Sequence, residues 1–207
     1  MARPVNADAA KTRQRILEQA LALFAQQGRA GSSVRRIASE AGVSLAMVHH
    51  YFGTKDGLYD ACINLMYSEF ALEWPRLAAR FAEHHDFREA LEEVIEQGME
   101  MGWRHRLSMR LLLRTVVTDG GLDEERRRRY QEPVLESLCA SLATMLGGEP
   151  LDYRLRLQSL TFLVSRYAVS GDEELLFLTE TSSLDAAKAA VKRHLVRAGS
   201  VMLTAPA

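Results

Sequence analysis

Side chains that bind phosphate and read base edges are concentrated in one short segment of the chain. Ser33 and Ser44 stand where helices are predicted to begin, and the hydroxyl and free amides of a helix N-terminus can bind a phosphate group. Tyr51 and Lys55 add a phenol and an ammonium, which can donate to phosphate oxygens. Arg35 can donate two parallel hydrogen bonds to a guanine, which is worth about 1–3 kcal/mol of discrimination. These residue types predict a surface that binds nucleic acid.

A predicted helix over residues 45–52 carries further candidate DNA contacts. Four of its side chains are expected to face the DNA groove: Leu45, Ala46, His49 and His50. The two apolar side chains can contact thymine methyl groups, and His49 can donate to a phosphate, more strongly when its ring is protonated. Val48 and Phe52 are expected to face the protein interior, and core packing is favoured for Met47.

The elements that position these side chains are predicted to be two short helices joined by a tight turn. Ser33 is expected to cap the first of them with its hydroxyl, and Gly42 opens the turn. Ala38 is small enough to let the second helix approach, and Val48 anchors that helix by an apolar contact. This is the helix-turn-helix arrangement, in which the second helix lies in the major groove of DNA.

The neighbouring helix boundaries have local signals of their own. Gly28 is expected to end the first helix, predicted over residues 9–27. Ser44 is expected to cap the third helix and Gly53 to end it, and Thr54 caps the fourth. The segment is therefore predicted from its boundaries as well as from its apolar pattern.

The rest of the chain is predicted to be helical too, since no stretch alternates apolar and polar residues over a useful length. Pro75 is expected to kink or break the fourth helix, and the last two helices are predicted over residues 151–170 and 184–198. We expect an all-α fold of about nine helices. Residues 1–53 would form a three-helix DNA-binding domain, and residues 54–207 a larger helical domain for regulation, ligand binding and dimerisation.

Composition and charge agree with this interpretation. The chain has 207 residues, of which 47% are hydrophobic and 26% charged, so it can bury a sizeable core. The net charge is −1, but residues 1–60 carry +3 and the remainder therefore −4. The positive charge thus lies on the end that is predicted to meet DNA phosphates.

We find no sequence signals for other classes of function. Cys62 and Cys139 are far apart and not in metal-ligand spacing, and the adjacent His84 and His85 would lie on different faces of a helix, so neither a disulfide nor a metal site is expected. No nucleophile–base motif or phosphate loop is present, so we expect no enzyme and no cofactor. The sequence has neither a signal-peptide pattern nor about 20 consecutive apolar residues, and we expect a cytoplasmic protein without a membrane partner.

The first 60 residues resemble the TetR family of transcriptional regulators. The resemblance rests on residues 12–17 (TRQRIL), on Ala20, Phe24 and Gly28, and on residues 33–58. The family often has a polar or basic residue at the position of Leu45 and a tyrosine at that of His49, so this chain departs from the pattern within the base-reading helix.

The resemblance implies a function and several partners. It implies a homodimer whose two DNA-binding ends sit in successive major grooves of double-stranded DNA, on a palindromic operator. It also implies that a small-molecule effector releases the DNA, as in a repressor, and that Arg35 occupies a position that can reach a base.

The regulatory part contains weaker candidates. Aromatic, sulfur and charged side chains could line an effector site between helices: Trp74, Met99, Trp103, Met109, Phe162 and Arg166. At helical spacing the aromatic and sulfur side chains suit a plain core equally well. Arg166 stands in an apolar run, where it could meet an acidic ligand or pair with a carboxylate.

The last two helices are expected to form the dimer interface, with two helices from each subunit. Their candidate apolar faces are formed by two sets of residues: Leu155, Leu160, Leu163, Val164 and Tyr167, and Leu184, Ala187, Val191, Leu195 and Ala198.

Three functions remain open at this point. The first is a dimeric, sequence-specific repressor that a small molecule releases from DNA. The second is a DNA-binding dimer that a protein partner controls without any small ligand. The third is a helical enzyme or metal protein in which the N-terminal motif serves only packing.

Overall fold

The computed structural model describes residues 5–121 and 123–205, and no strand occurs among them. Arg3, which contributes to the +3 charge of residues 1–60, lies outside the described part. The helices have the following bounds: α1 Val5–Gly31, α2 Val34–Glu40, α3 Leu45–Phe52, α4 Lys55–Glu83, α5 Phe87–Arg104, α6 Arg106–Asp119, α7 Glu124–Arg126, α8 Glu132–Leu146, α9 Arg154–Ala168, α10 Asp172–Thr179 and α11 Leu184–Thr204. A π-helical turn (Arg127–Gln131) lies between α7 and α8, and a 3₁₀ turn (Pro150–Tyr153) precedes α9. The all-α prediction is confirmed.

The chain divides into two compact units, and each contains a discontinuous set of residues. Unit 1 comprises the chain up to Ser68 together with Arg110–Gly121, and unit 2 comprises Glu69–Met109 and the chain from Leu122 onward. The predicted domain boundary at residue 53 coincides with the end of α3, whereas unit 1 continues into the first part of α4 and takes in the second part of α6.

The core of unit 1 is formed by one face of α1 and the inward residues of the next three helices. Ile16, Phe24, Ile37 and Leu58 have no exposed surface. Phe24 also meets the ring of Tyr59 edge to face, with ring centroids 5.2 Å apart. Burial of these side chains supplies the main stabilising term for so small a unit.

Gly28 interrupts α1 as predicted. Its φ of 74° and ψ of 170° lie outside the helical region, although helical turns continue on both sides of it. Arg114 of α6 donates from Nη2 to the carbonyl oxygen of Gln26 at 3.1 Å, which satisfies a carbonyl beside the break. A side chain at position 28 would meet Arg114, since its Cβ would lie 2.8 Å from Nη1 of that residue.

The core of unit 2 is built where α5, α9 and α11 pack on one another. Small residues allow the close approach. A Cβ at Gly102 of α5 would lie 2.6 Å from the Cβ of Ala168 of α9, and a Cβ at Gly199 of α11 would lie 3.2 Å from Leu91 and Leu160. A side chain at position 102 would therefore force a shift of α5 or α9, whereas one at position 199 would require the two leucine side chains to move by a few tenths of an ångström.

Helix α4 continues through the exposed Pro75, with buried Phe70, Ala78 and Phe81 on either side, so of the kink or break expected there the break does not occur. Two other elements of the C-terminal part differ from the prediction. Helix α10 was not predicted, because its eight residues contain only one that is buried, Leu175. Helix α11 runs six residues beyond the predicted end at residue 198, to Thr204.

Candidate nucleic-acid interface

Helices α2 and α3 form the predicted helix-turn-helix. Gly42 in the turn has a φ of 64°, a conformation that glycine adopts without strain. The turn is closed by backbone hydrogen bonds from Gly42 to Ser39 (3.1 Å) and from Val43 to Ala38 (3.0 Å). Ala38 and Val48 are buried as expected, so α3 is held against α2 by the small residue and the apolar anchor.

The caps on either side of α3 hold its ends. The Ser44 hydroxyl accepts from the amide of Met47 at 3.2 Å, and the Thr54 hydroxyl accepts from the amide of Gly57 at 3.1 Å at the start of α4. Ser33 precedes α2 in extended backbone, but its hydroxyl caps nothing. That part of the prediction is wrong, since the first-turn amides of α2 do not use this side chain. The exposed Ser33 hydroxyl is left available to another acceptor or donor.

The outer face of α3 carries most of the predicted base-reading residues. Ala46, His49 and His50 are exposed, while Leu45 is half-buried at the first turn. Val48 and Phe52 face inward. The helix therefore presents a short, mostly neutral strip of small, apolar and imidazole groups to its surroundings.

Met47 does not pack in the core as we expected. It is 37% exposed, because only Val48 and Phe52 of this eight-residue helix are fully inward and the side chain one residue before Val48 turns out by about 100°. Met47 is thus a candidate DNA contact that the sequence prediction missed, although a helical projection of α3 places its side chain away from the buried face.

The two arginines of α2 have different surroundings. Arg36 donates from Nε to Glu40 at 2.7 Å, an i, i+4 pair along the helix. Arg35 is exposed and has no hydrogen bond or ion pair among the described residues. Of the two, Arg35 is therefore the guanidinium that can be directed at a ligand without first breaking an ion pair.

Lys55 and Tyr51 stand at the C-terminal side of α3. Lys55 is the first residue of α4, and its Nζ donates to the carbonyl oxygen of Ala30 at 3.4 Å. Its two remaining ammonium hydrogens can bind another acceptor. Tyr51 is half-buried, with its ring 5.2 Å from that of His50.

The His49 ring is held by the backbone. Its Nδ1 lies 2.6 Å from the carbonyl oxygen of Gly53, the residue that ends α3. A carbonyl oxygen only accepts, so Nδ1 carries the proton and the ring orientation follows. The second ring nitrogen, Nε2, has no partner among the described residues.

The predicted effector residues all lie in unit 2, but the structure does not gather them into one group. Met99 and Met109 are buried in the core. Trp74 is half-buried and stacks on Phe70 at 4.9 Å, and Trp103 is half-buried with two lysine ammonium groups over its ring.

Phe162 and Arg166 lie on a different surface of unit 2. Phe162 is 50% exposed on α9. Arg166 donates to Glu174 of α10 at 2.5 Å and to the Ser170 hydroxyl at 2.5 Å. This ion pair raises the pKa of Arg166 and lowers that of Glu174. Of the two roles considered for Arg166, the structure shows the carboxylate pair.

A polar cluster near Trp74 was not foreseen. His105 lies with Nδ1 3.2 Å from Glu69 and with Nε2 3.2 Å from Glu73, so the ring stands between two carboxylates. Ser108 donates to Glu69 at 2.6 Å, and Arg104 donates to Glu73 at 3.0 Å. Both carboxylates of this cluster thus have hydrogen-bond partners among the side chains of unit 2 itself.

The apolar faces predicted for dimerisation are largely used inside the subunit. Leu160, Ala187, Val191 and Leu195 are buried, because α9 and α11 pack on each other and on α5. Among the predicted residues only Leu155 is strongly exposed.

The described residues contain no group of histidines, cysteines and carboxylates that could hold a metal ion. Burial raises the pKa of the Cys62 thiol to about 12, so this thiol is a packing group rather than a nucleophile at neutral pH. None of the helices in the described part of the chain is long and apolar enough to cross a bilayer.

Comparison with known proteins shows which families and relatives this chain is similar to. The family model of bacterial regulatory proteins of the tetR family matches residues 16–62, which include α2 and α3. An HTH-type transcriptional regulator from Xanthobacter autotrophicus, found in the dhlA 5′ region, is 34% identical over 151 residues, covering 68% of this chain and 69% of that protein. The HTH-type transcriptional repressor AcnR of Corynebacterium diphtheriae is 29% identical over 186 residues, covering 86% of this chain and 94% of that protein.

The fold agrees with these relatives. A TetR-like transcriptional regulator from Rhodococcus sp. RHA1 superposes with a TM-score of 0.62 over 97% of this chain and 98% of that chain, at 22% identity. The chain is a DNA-binding transcriptional regulator, not an enzyme. It belongs to the TetR family.

Proposed function

We propose that the protein is a homodimeric repressor that binds a palindromic operator through α3 and is released by a small-molecule effector. The observation that carries the DNA-binding part is the exposed strip of α3, flanked by the unpaired Arg35 and by Lys55. A helix of this width fits the major groove, and its flanking cations fit the phosphates on either side.

The roles within the interface follow from what each group can donate. Arg35 reads a base edge, because its guanidinium is free and planar. Ser33, Ser44, Tyr51 and Lys55 position unit 1 on phosphates, since hydroxyl and ammonium groups donate to phosphate oxygen without regard to sequence.

The strip itself reads bases by shape and apolar contact. Leu45 and Ala46, joined by Met47, offer carbon surface suited to thymine methyl groups, and His49 and His50 offer ring nitrogens. Positions 45 and 49 differ from the residues common in the family. The operator sequence of this protein therefore differs from that of relatives with the common residues.

The DNA-binding proposal is tested by selecting duplexes from a pool with 24 random base pairs, using full-length protein, and by measuring affinity for the selected and unselected duplexes. We expect a palindromic consensus. About 6–10 phosphate contacts would lower the affinity by roughly 10³–10⁵ between 50 and 200 mM salt. Equal affinity for selected and random duplexes would contradict the proposal.

Two substitutions separate reading from positioning. Lys55→Ala should weaken binding to selected and random duplexes alike and make the affinity less dependent on salt. Arg35→Ala should also relax the base preference at one position of each half-site. Arg88→Ala, which removes an exposed arginine of α5 in unit 2, is the matched control. If Arg35→Ala weakens all sequences equally, its base-reading role is wrong.

The dimer surface is proposed from apolar residues that remain exposed on the last helices of unit 2. On α9, Leu155 is 81% and Phe162 50% exposed, and seven residues of spacing place them on one face. On α11, which packs against α9, Val201 is 70% exposed. Exposed apolar groups of this size on adjacent helices are typical of subunit interfaces.

Sedimentation of the full chain tests this surface. Leu155→Asp with Phe162→Asp should give monomers. Phe177→Asp removes an equally exposed apolar residue (79%) on α10 and serves as the control. Dissociation by the control as well would show that the interface is not the one proposed.

The effector proposal places a small, largely apolar molecule beside Trp74 and Trp103, with Met99 and Met109 as adaptable apolar wall. The indole Nε1 of Trp103 is buried without a partner among the described residues, so it could donate to such a molecule. These are the only two tryptophans in the chain, so intrinsic fluorescence reports on this region directly.

A screen for compounds that both shift this fluorescence and release the selected DNA tests the effector proposal. Trp103→Phe should abolish release without changing DNA affinity in the absence of compound. If DNA release instead follows addition of a protein partner and no compound acts, the alternative of control by a protein is favoured.

A further inference from the structure

We propose that His49 makes DNA binding proton-linked: it contacts DNA as an imidazolium, so that each DNA-binding end takes up a proton when it docks. This inference rests on the proposed docking of α3 in the major groove. It specifies which groups on DNA the side chain of His49 can contact, and it predicts whether the affinity for DNA rises or falls with pH.

The first step is the tautomer. Nδ1 of His49 donates to the carbonyl oxygen of Gly53 at 2.6 Å, so that nitrogen is protonated in both charge states of the ring. In the neutral ring Nε2 is therefore an acceptor with a lone pair, and in the charged ring it is a donor. The exposed imidazole thus changes from acceptor to donor with a single proton.

The second step is what DNA offers. Phosphate oxygens and the N7 and O6 atoms of guanine only accept, whereas the amino groups of adenine and cytosine donate. A neutral His49 can pair only with the amino groups, and a charged His49 only with phosphate or an acceptor on a base edge. The direction of the pH effect therefore reveals the partner.

The third step decides between the two states. His49 lies in the last turn of α3, at the negative end of the helix dipole, where a cationic imidazole is favoured. The Gly53 carbonyl, one of the orphan acceptors near that end, already takes the Nδ1 proton. Both features, and the field of the phosphates, favour the imidazolium in the complex.

In the free protein, the charged groups around α3 do not supply an anion that would balance a positive charge on His49. Its own helix adds His50 and Tyr51 and no carboxylate. The neighbouring elements carry the following charged residues: Asp8, Lys11, Arg13, Arg15, Glu18 and Arg29 on α1, Arg35, Arg36 and Glu40 on α2, and Lys55, Asp56 and Asp60 on the part of α4 in unit 1. The carboxylates of Glu40 and Asp56 are paired with arginines, at 2.7 and 3.5 Å. Among the described residues no ion pair joins a carboxylate to His49, so the anion that stabilises its charged ring in the proposal is the DNA.

The test is the affinity of the full-length protein for a selected duplex and for a random-sequence duplex between pH 6 and pH 8 at constant salt. One proton per DNA-binding end gives a loss of at most about tenfold per pH unit for each end. For a two-headed complex we expect a total loss of roughly ten- to a hundredfold over this range. Affinity that rises with pH would overturn the proposal, because it would mean a neutral ring that accepts.

Substitutions test whether His49 is the residue that takes up the proton on DNA binding. His49→Gln should bind with little pH dependence, and His49→Lys, which is charged throughout, should also be flat but should keep its affinity at pH 8. His85→Gln removes an exposed histidine of unit 2 and should retain the wild-type slope. A wild-type slope in His49→Gln, or loss of the slope in His50→Gln alone, would show the proposal to be wrong.

Two readouts distinguish the acceptor on DNA and protect against misfolded variants. If the acceptor is a phosphate, His49→Gln weakens all duplexes and lowers the salt slope at pH 6 by about one for each end, whereas a guanine edge gives relaxed base preference. Calorimetric titration of the wild-type protein in buffers of different ionisation enthalpy measures proton uptake without any variant. Zero uptake at pH 7 overturns the proposal, while absence of any DNA binding would instead overturn the proposed function.

Discussion

Replacing Gly28 by alanine should destabilise unit 1 by a predictable amount. The residue has a φ of 74° and a ψ of 170°, a region that essentially only glycine occupies, and forcing another residue there costs on the order of 1–3 kcal/mol. The new Cβ would also lie 2.8 Å from Nη1 of Arg114. That guanidinium would have to move away from the Gln26 carbonyl, at a loss of about 1 kcal/mol.

The expected total is about 2–4 kcal/mol of unfolding free energy. Urea denaturation followed by circular dichroism measures it, and the melting temperature should fall by roughly 4–16 °C for a chain of this size. Gly31→Ala is the matched control in the same helix. Its Cβ would be in ordinary contact at 3.5 Å from the Cβ of Gln27, with no positive φ, so it should be neutral or slightly stabilising.

A double variant separates the two contributions. Gly28→Ala in an Arg114→Ala background should retain the conformational penalty and lose the steric one. An unchanged stability of Gly28→Ala, or an equal loss in Gly31→Ala, would refute the reasoning that the break in α1 requires glycine.

Three further predictions concern packing, reactivity and pH. Gly102→Ala should cost about 1–3 kcal/mol of unfolding free energy, because its Cβ would lie 2.6 Å from the Cβ of Ala168. Cys62, whose pKa burial raises to about 12, should react with a thiol reagent at pH 8 only at the rate at which unit 1 unfolds. The hydrogen bond and charge of Arg166 lower the pKa of Glu174, so the pair's contribution to stability is present above the ordinary carboxyl range and is lost as the pH falls through the lowered pKa. Arg166→Ala should raise that pKa, as measured by NMR titration, and flatten the acid limb of the stability profile.

Each of these has an outcome that would contradict it. Gly98→Ala, in the same helix as Gly102, is the packing control, since its Cβ would be 4.0 Å from Val164. A stoichiometric burst of thiol reaction in the folded Cys139→Ser variant, which leaves Cys62 as the thiol under test, would show that Cys62 is accessible. A Glu174 titration that does not respond to removal of Arg166 would show that the ion pair is absent in solution.

The helix-turn-helix was predictable because its signals are local. Gly42 has a positive φ in the turn, Ser44 caps the third helix through its own hydroxyl, and Val48 is a buried apolar anchor of that short helix. Each of these depends on neighbours within about four residues, so tertiary structure has little room to override them. The Ser33 hydroxyl is the exception, because a residue suited to capping is not obliged to cap.

The C-terminal part was predictable only as helix. Whether a face of α9 or α11 meets its own subunit or another depends on which helices pack together, and Leu160, Val191 and Leu195 turned out to be internal. An apolar residue at helical spacing carries the same signal in both cases. The exposed Leu155 and Phe162 could be identified only once α5 had been placed against these helices.

The sequence alone thus determined the fold class, the family and the location of the DNA-binding helix, because all three depend on short-range patterns that hold in any packing. Tertiary structure alone decided which charged groups are free. Asp56 and Arg166 are paired with residues of other helices and Arg35 has no pair among the described residues, since such pairing depends on distances across helices. The tautomer of His49 also had to be read from the structure, although the Gly53 carbonyl that sets it lies only four residues away, where α3 ends.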